Sequence, residues 1–483
     1  MYFDQFEMDK DEYNEGISRY DENGNLNFSQ NPETNARFHS AWCSMIYPCL
    51  LLSRNLLAND GVIFISIDNH EVDNMLKICD EIFGTANRIA CIVNVNNPKG
   101  RSDEKNIATA HEYIVVYQKN EAILSGFEPE ENVTRRYNKV DKEGNRYRYI
   151  DLRKTGDSDR REDRPKMFYY FYFNQATGEF YPSYDERTPD GWIKIVPMKD
   201  DGSFGRWRVG IETAESRKEL LEPTYMSVKK RWTVMERDYL SDDLRVKATT
   251  AWTFKDLNSE RGTEQFVDLG FDKNIFPRPK PLGTILRPLL LSTKKGDVVL
   301  DFFSGSSTTA LGLMQLNAED GGNRRFIMVQ IPEPCDEKSE AYKAGYRNIC
   351  EIGKERIRRA GEKIKADSPL TTADLDVGFR VFKLADSNMK DVYYAADELD
   401  QQTLADMVSN IKEDRTALDL FFGCLLDWGL PLSMPYHSEK IDGCTVHTYN
   451  DGDLIACFDK NIPESVVKEI AKRKPLRAVF RDA

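Results

Sequence analysis

The sequence has few of the features that mark a membrane protein, a disulfide-linked protein or a zinc protein. It contains no apolar run long enough to span a bilayer, and its start shows no secretory signal pattern. The 9 cysteines form no CxxC pair, and the 5 histidines show no metal-ligand spacing. We therefore expect reduced thiols, a cytoplasmic location, no membrane association and no bound metal.

The sequence also lacks an excess of positive charge: it contains 67 Lys and Arg and 80 Asp and Glu, which gives a formal net charge of −13. This balance argues against a simple basic protein that coats DNA. The charges are unevenly distributed: residues 125–250 hold 25 basic and 24 acidic side chains, whereas residues 366–483 hold 13 and 21. The middle of the chain is therefore the section best suited to meet phosphates.

The first part of the chain alternates helix and strand patterns. Helical spacing of apolar residues covers 39–57 and 70–83, the second pattern ending at Gly84. Strand patterns cover 62–68, 89–95 and 112–118, and the continuous apolar run at 62–68 is typical of a buried parallel strand. This alternation predicts a doubly wound α/β domain.

Residues 125–250 interrupt this alternation and predict an inserted α+β module rich in Arg, Lys and Tyr. The α/β pattern resumes at residue 251 and continues through a charged helix at 342–365. Asp367-Ser368-Pro369 predicts a linker. The last unit, residues 366–483, carries strand patterns at 378–384 and 451–459 and a helix pattern near 402–428.

One loop carries the strongest functional signal. An apolar strand pattern leads into Asp301-Phe302-Phe303-Ser304-Gly305-Ser306-Ser307-Thr308-Thr309, and a helix pattern follows. A strand, a tight turn with Gly305 and a helix N-terminus form the geometry of a nucleoside or phosphate cradle at the carboxyl edge of a sheet. Taken alone, the loop is equally compatible with a packing turn.

Two flanking segments narrow this interpretation. Phe276-Pro277-Arg278-Pro279-Lys280-Pro281 lies upstream of the loop, and Arg325–Glu333 predicts a second strand that ends in an acid downstream. The ordered trio resembles the cofactor half of the β-class DNA amino-methyltransferases. Within that class the chain is similar to the modification (Mod) subunits of type III restriction-modification systems.

The resemblance implies a Rossmann-like fold that binds S-adenosyl-L-methionine (AdoMet), with the motifs in permuted order. It divides the chain into residues 1–124, the strands that follow the catalytic loop; 125–250, the target-recognition module; 251–365, the AdoMet-binding part; and 366–483, an α+β accessory domain.

The resemblance also assigns residues to the cofactor. The expected AdoMet-binding residues are Phe276, Pro279, Lys280, Asp301, Phe302, Phe303, Gly305, Ser307 and Glu333.

Several roles within this set stay open. The two adjacent phenylalanines either wall the pocket or pack in the core. Lys280 reaches either the AdoMet carboxylate or strand-end groups, and Ser307 and Thr308 are expected to cap the following helix. Glu333, at a strand end, suits the two ribose hydroxyls.

Other residues are expected to meet DNA. His111 and Tyr113 are candidates for the target-base pocket, because Thr109–Asn120 resembles the strand beside that base. Side chains expected to grip phosphates are Arg135, Arg136, Arg160, Arg161, Lys229, Lys230 and Arg231.

The sequence contains no Pro-Pro dipeptide. Enzymes of this class use an Asp/Asn-Pro-Pro-Tyr loop that holds the adenine amino group and stacks on the extruded base. The family places that loop just upstream of a segment like Tyr2–Arg37, so we expect an amino-truncated enzyme without catalytic residues of its own.

The resemblance implies methyl transfer from AdoMet to the adenine amino group in duplex DNA, self-association as a Mod dimer, and a helicase-nuclease restriction partner. A non-catalytic subunit that recognises DNA and binds AdoMet is the alternative. A nucleotide-dependent dehydrogenase is disfavoured, because the chain lacks a G-x-G-x-x-G motif and carries the FPRPKP segment.

Overall fold

The structure is a computed structural model that describes residues 38–100, 105–390 and 411–481. The chain divides after Val377 into two compact units. Val377 belongs to the first unit because it packs on the last long helix there: a methyl group built at Gly361 would lie 2.8 Å from the Val377 Cβ. The four-part division by function stays a prediction.

The helices of the first unit include two of 19 residues and several short ones. They are α1 (Phe38–Leu56), α2 (Val72–Phe83), α3 (Glu131–Thr134), α4 (Ile211–Ser216), α5 (Ser259–Asp268), α6 (Leu282–Ser292), α7 (Thr308–Asp320), α8 (Glu340–Lys343) and α9 (Ile349–Asp367). The second unit contains α10 (Ala417–Asp427) and α11 (Glu464–Lys472).

The strands of the first unit are β1 (Val62–Ile67), β2 (Arg88–Asn94), β3 (Glu112–Gln118), β4 (Lys139–Val140), β5 (Arg146–Asp151), β6 (Tyr170–Phe173), β7 (Phe180–Ser183), β8 (Ile193–Ile195), β9 (Leu221–Met226), β10 (Arg231–Tyr239), β11 (Ala251–Trp252), β12 (Val298–Asp301) and β13 (Arg325–Met328). The second unit contains β14 (Tyr436–Ile441), β15 (Cys444–Tyr449), β16 (Leu454–Cys457) and β17 (Ala478–Phe480).

The first sheet has the order β1-β3-β2-β11. β3 runs antiparallel to both β1 and β2, and β11 runs parallel to β2. The prediction that β1 is a buried parallel strand is therefore wrong. β3 follows β2 without a crossover helix, so it runs antiparallel to β2. Because β3 also lies between β1 and β2, which run in the same direction, its pairing with β1 is antiparallel too.

Helices α1 and α2 cover one face of this sheet. α2 places Val72, Met75, Ile78, Cys79 and Ile82 in the core, a helical spacing that buries one stripe. The predicted helix at 70–83 is thereby confirmed, and it ends at a glycine with a φ of +92°.

A separate pair of parallel strands, β12 and β13, carries the predicted cradle. Among the described strands, this pair is not hydrogen-bonded to the first sheet. Leu289 of α6 and Leu313 and Leu316 of α7 pack together beside Val299 and Phe326. The predicted strand, turn and helix around Gly305 are all present.

The middle of the chain forms two antiparallel sheets, β4-β5-β10-β9 and β7-β6-β8. Its core is aromatic and local to this segment, with Tyr169, Phe171 and Trp207 fully buried beside Leu152 and Val234. This segment therefore has a core of its own, and its interpretation as an inserted module stays a prediction.

The second unit is a sheet of order β14-β15-β16-β17. Phe421 of α10 packs on one set of side chains that includes Leu454, whereas Val466 of α11 packs on another that includes Ile455. Neighbouring strand residues point to opposite faces, so the two helices cover the two faces of the sheet.

Two predictions for this unit need correction. Residues 378–384 form no strand in the structure, which describes all of them, and Leu384 is fully exposed. Instead, the Arg380 guanidinium donates to the carbonyls of Leu432 and Met434. The predicted helix near 402–428 is found at Ala417–Asp427, and its first part lies outside the described residues.

The predicted charged helix at 342–365 is α9, which begins at Ile349. Among the described residues, no helix is both long enough and apolar enough to cross a membrane.

Candidate functional site

The loop after β12 is closed by the side chain of Asp301. One carboxylate oxygen accepts from the Phe303 amide at 3.1 Å, and the other accepts from the Thr309 hydroxyl at 2.6 Å. The carboxylate therefore ties the start of the loop to the first turn of α7. Gly305 has a φ of +50°, a conformation that glycine adopts without strain.

Ser307 stands directly before α7 with φ 61° and ψ 37°, in the left-handed region. The prediction that it caps the helix is wrong, because its hydroxyl makes no capping hydrogen bond within the described part of the chain. An N-cap residue usually has an extended backbone, which this left-handed conformation does not provide. The Thr308 hydroxyl also points elsewhere and accepts from Arg356 at 2.7 Å.

The two phenylalanines of the loop have different environments. Phe302 is partly buried and packs on the core formed by the first sheet, α1 and α2, whereas Phe303 is 53% exposed. Core packing therefore describes Phe302, and Phe303 is left at the surface where it can contact a ligand.

The neighbouring strand meets the loop through a residue that the sequence analysis did not single out. The Gly305 amide donates to the Gln330 side chain at 2.7 Å. Glu333 is not at a strand end as predicted, because β13 ends at Met328 and Glu333 lies in an exposed irregular segment. Its carbonyl accepts from the amide of Ile349, the first residue of α9.

The FPRPKP segment borders the loop. A methyl group built at Gly305 would lie 3.8 Å from the Phe276 ring, and Pro279 is buried. The Lys280 ammonium lies 2.5 Å from a carboxylate oxygen of Glu112 at the start of β3. Of the two expected partners for Lys280, the structure has the strand-end group in place.

Glu112 is part of a short polar chain at this edge of the sheet. Its second oxygen accepts from the side-chain amide of Asn94 at 3.3 Å, and Asn94 is fully buried. His111 and Tyr113 are the residues before and after Glu112 in the sequence. Their rings meet edge to face, with centroids 5.0 Å apart. Residues from β2, β3 and the FPRPKP segment thus converge at one sheet edge.

The model of a family described as DNA methylase matches residues 11–335, about two thirds of the chain. The chain belongs to this family of DNA methylases.

Several methylases resemble the chain over long alignments. It is 36% identical over 322 residues to the type II methyltransferase M.KpnI of Klebsiella pneumoniae, covering 66% of this chain and 74% of that protein. It is 31% identical over 418 residues to the EcoPI Mod subunit of Escherichia phage P1, covering 85% and 63%. It is 30% identical over 436 residues to the EcoP15I Mod subunit of Escherichia coli, covering 85% and 62%.

The predicted resemblance to type III Mod subunits is confirmed, although the chain spans less than two thirds of the length of the EcoPI and EcoP15I proteins. A solved structure of a DNA modification methylase from Thermus thermophilus has a TM-score of 0.28 and 14% identity, covering 66% of this chain and 78% of that one.

Two of the side chains that are expected to contact DNA phosphates, Lys229 and Arg231, are already paired with one carboxylate. Asp200 lies 2.6 Å from the Lys229 ammonium and 2.7 Å from the Arg231 guanidinium. The hydrogen bond from Lys229 is the largest cause of the lowered pKa of Asp200, so the carboxylate is ionised at neutral pH. Lys230, between the two cations, is exposed and has a φ of 49°.

The remaining candidates lie on exposed surface. Arg135 pairs with Glu131 at 2.8 Å within one helical turn, and Arg136 beside it is exposed. The Arg161 guanidinium stacks 4.1 Å from the ring centroid of Phe168, and Arg160 is exposed. Their role in DNA binding stays a prediction.

Proposed function

We propose that this chain is the AdoMet-binding and DNA-binding part of a type III Mod methyltransferase. The reaction transfers a methyl group from AdoMet to the exocyclic amino group of adenine at a specific duplex site. Family membership and alignments that cover 85% of the chain with two type III Mod subunits support this proposal.

The geometry of the loop after β12 carries the cofactor assignment. The turn is closed internally by Asp301, and its glycine lets a ligand approach the backbone. The first amides of α7 carry the positive end of the helix and suit a carboxylate.

The residues that would hold AdoMet are those around this loop: Phe276, Pro279, Lys280, Asp301, Phe303, Gly305, Ser307 and Glu333. Phe302 would instead attach the loop to the core. Phe303 is the exposed aromatic side chain, and Gln330 joins the set because it holds the Gly305 amide. When bound, AdoMet supplies the methyl group that the target nitrogen takes.

The proposed fold is Rossmann-like with permuted motif order. In the sequence, the proposed cofactor loop comes after β1, β2 and β3, the strands next to the proposed target-base pocket. His111 and Tyr113 stand at the edge of β3, on the side proposed for the extruded adenine. No catalytic residue is assigned among these 483 residues, which contain no Pro-Pro dipeptide.

Residues 125–250 form the proposed DNA-reading module, and its exposed cations contact phosphates. We also propose self-association of the chain, a helicase-nuclease restriction subunit as its partner, and a cytoplasmic location, where methylation marks host DNA.

Calorimetric titration with AdoMet tests the assignment of the loop. Asp301→Ala leaves the Phe303 amide and the Thr309 hydroxyl without their acceptor, so we expect affinity to fall by about tenfold or more. Asp297→Ala is the matched control, because that carboxylate accepts from the Lys294 amide at the opposite end of β12.

Equal affinity of both variants and the unmutated chain would place AdoMet elsewhere. Absence of any binding by the unmutated chain would refute the cofactor assignment. Circular dichroism of each variant excludes unfolding as the cause of lost binding.

A further inference from the structure

Arg356 of α9 is a fully buried arginine that lies against the loop after β12, the proposed AdoMet site. One terminal nitrogen donates to the Ser306 hydroxyl at 2.6 Å and to the Thr308 hydroxyl at 2.7 Å. Within the described residues the guanidinium pairs with no carboxylate, and its Nε and other terminal nitrogen have no hydrogen-bond partner. Burial of a charge without a counter-ion costs free energy, so other contacts must stabilise the guanidinium.

An aromatic stack takes the place of a counter-ion. The Arg356 guanidinium lies 5.4 Å from the ring centroid of Phe266, and Phe266 stacks on Phe271 with centroids 4.3 Å apart. Arg359, one turn further along α9, lies 4.1 Å from the Phe271 centroid. Burial lowers the pKa of Arg356 to about 10, so the side chain is still charged at neutral pH.

The two hydroxyls that Arg356 holds flank the left-handed residue of the loop. Ser307, between them, has a φ of 61°. A single donor that bonds residues on both sides of this bend fixes the bend itself. α9 also approaches closely one turn earlier, where a methyl group built at Gly353 would lie 2.7 Å from the Ser307 hydroxyl.

The same face of α9 supports the rest of the loop. The Cys350 thiol donates to the Gln330 carbonyl at 3.4 Å, and the Gln330 side chain accepts from the Gly305 amide. Phe266, under Arg356, lies 6.3 Å from the ring of Phe276, which borders Gly305. Arg356 therefore connects the loop to the FPRPKP segment.

We propose that Arg356 is a positioning residue for the cofactor: it holds residues 302–309 in the binding conformation before the cofactor arrives. The inference rests on the proposed function only where it names AdoMet as the ligand. Pre-organisation of this kind raises affinity, because the loop loses no further freedom on binding.

Hydrogen exchange of the cofactor-free protein, followed at residues 302–309, tests this role directly. In Arg356→Met we expect about tenfold faster exchange there than in the unmutated chain, and about tenfold weaker AdoMet binding. In Arg356→Lys we expect intermediate values, because one ammonium keeps the charge but lacks the planar fork of donors.

Arg359→Met is the matched control. It removes an arginine from the same helix. The partners of Arg359 are Glu355, the Leu269 and Gly270 carbonyls and the Phe271 ring, and none of them lies in the loop. We expect a change in overall stability in this variant, with exchange at residues 302–309 unaltered.

Should Arg356→Met not fold, the double variant Ser306→Ala and Thr308→Val removes the partners and keeps the arginine. Unaltered loop exchange in a folded Arg356→Met, or in this double variant, overturns the proposal. Faster loop exchange in a protein whose unmutated form does not bind AdoMet supports the positioning role and refutes only the cofactor assignment.

Discussion

Gly262 of α5 makes room for the FPRPKP segment, and we expect Gly262→Ala to displace that segment. A methyl group built at Gly262 would lie 1.9 Å from the Pro279 carbonyl oxygen and 2.9 Å from its carbon. Since real methyl groups essentially never come within 3.0 Å of such atoms, the carbonyl must retreat by about 1 Å. The next residue, Lys280, would then move relative to its partner Glu112.

Two opposing effects set the magnitude for Gly262→Ala. Replacing a glycine inside a helix with alanine stabilises the helix by about 1 kcal/mol. Overpacking a buried site costs about 1–3 kcal/mol, and the cost lies near the upper end here because a backbone carbonyl cannot rotate away as a side chain does. We therefore expect a net loss of about 1–2 kcal/mol in the free energy of unfolding.

Urea unfolding and AdoMet calorimetry measure both consequences, and we expect affinity about tenfold weaker. Gly210→Ala is the matched control: its φ is −73°, and a methyl group built there has no described atom within 4 Å beyond Gly210 and its two chain neighbours. We expect that control to change stability by less than about 0.5 kcal/mol. A higher urea midpoint for Gly262→Ala than for the unmutated chain would refute the packing argument.

Two further predictions concern charge. Asp200→Asn releases Lys229 and Arg231, so we expect tighter binding to nonspecific duplex DNA. The slope of log K against log salt concentration should become more negative by about one. Fluorescence anisotropy titrations at several salt concentrations measure both quantities, and unchanged values would contradict this prediction. Burial lowers the pKa of His447, so stability of the second unit should fall as pH decreases below 6.5. His447→Leu should flatten that dependence in thermal unfolding, and a slope as steep as that of the unmutated chain would contradict this.

Local patterns in the sequence were sufficient for the elements nearest to the site. The spacing of apolar residues in α2 and the glycine after it indicated the helix and its end. The apolar run that ends at Asp301, the glycine at 305 and the helix pattern after it indicated a strand, a turn and a helix, and the structure shows that the Asp301 carboxylate closes the turn. These features depend on neighbours within a few positions, which the sequence displays directly.

The left-handed conformation of Ser307 is a case between local pattern and tertiary packing. Glycine is the residue that adopts positive φ freely, because it has no Cβ. The serine here keeps that conformation, with φ 61°, although a side chain costs free energy there. Its retention follows from the contacts of the loop with α9, which local sequence does not reveal.

Pairings between distant residues were decided only by the tertiary structure. Lys280 meets Glu112 across 168 positions, and Arg356 meets Ser306 across 50. The antiparallel direction of β3 beside β1 and the end of β13 at Met328 likewise follow from which surfaces pack together. The sequence by itself determined the family, the strand-turn-helix at Gly305 and most helices, because these depend on residue order. The partners of buried charges depend on packing, which residue order does not specify locally.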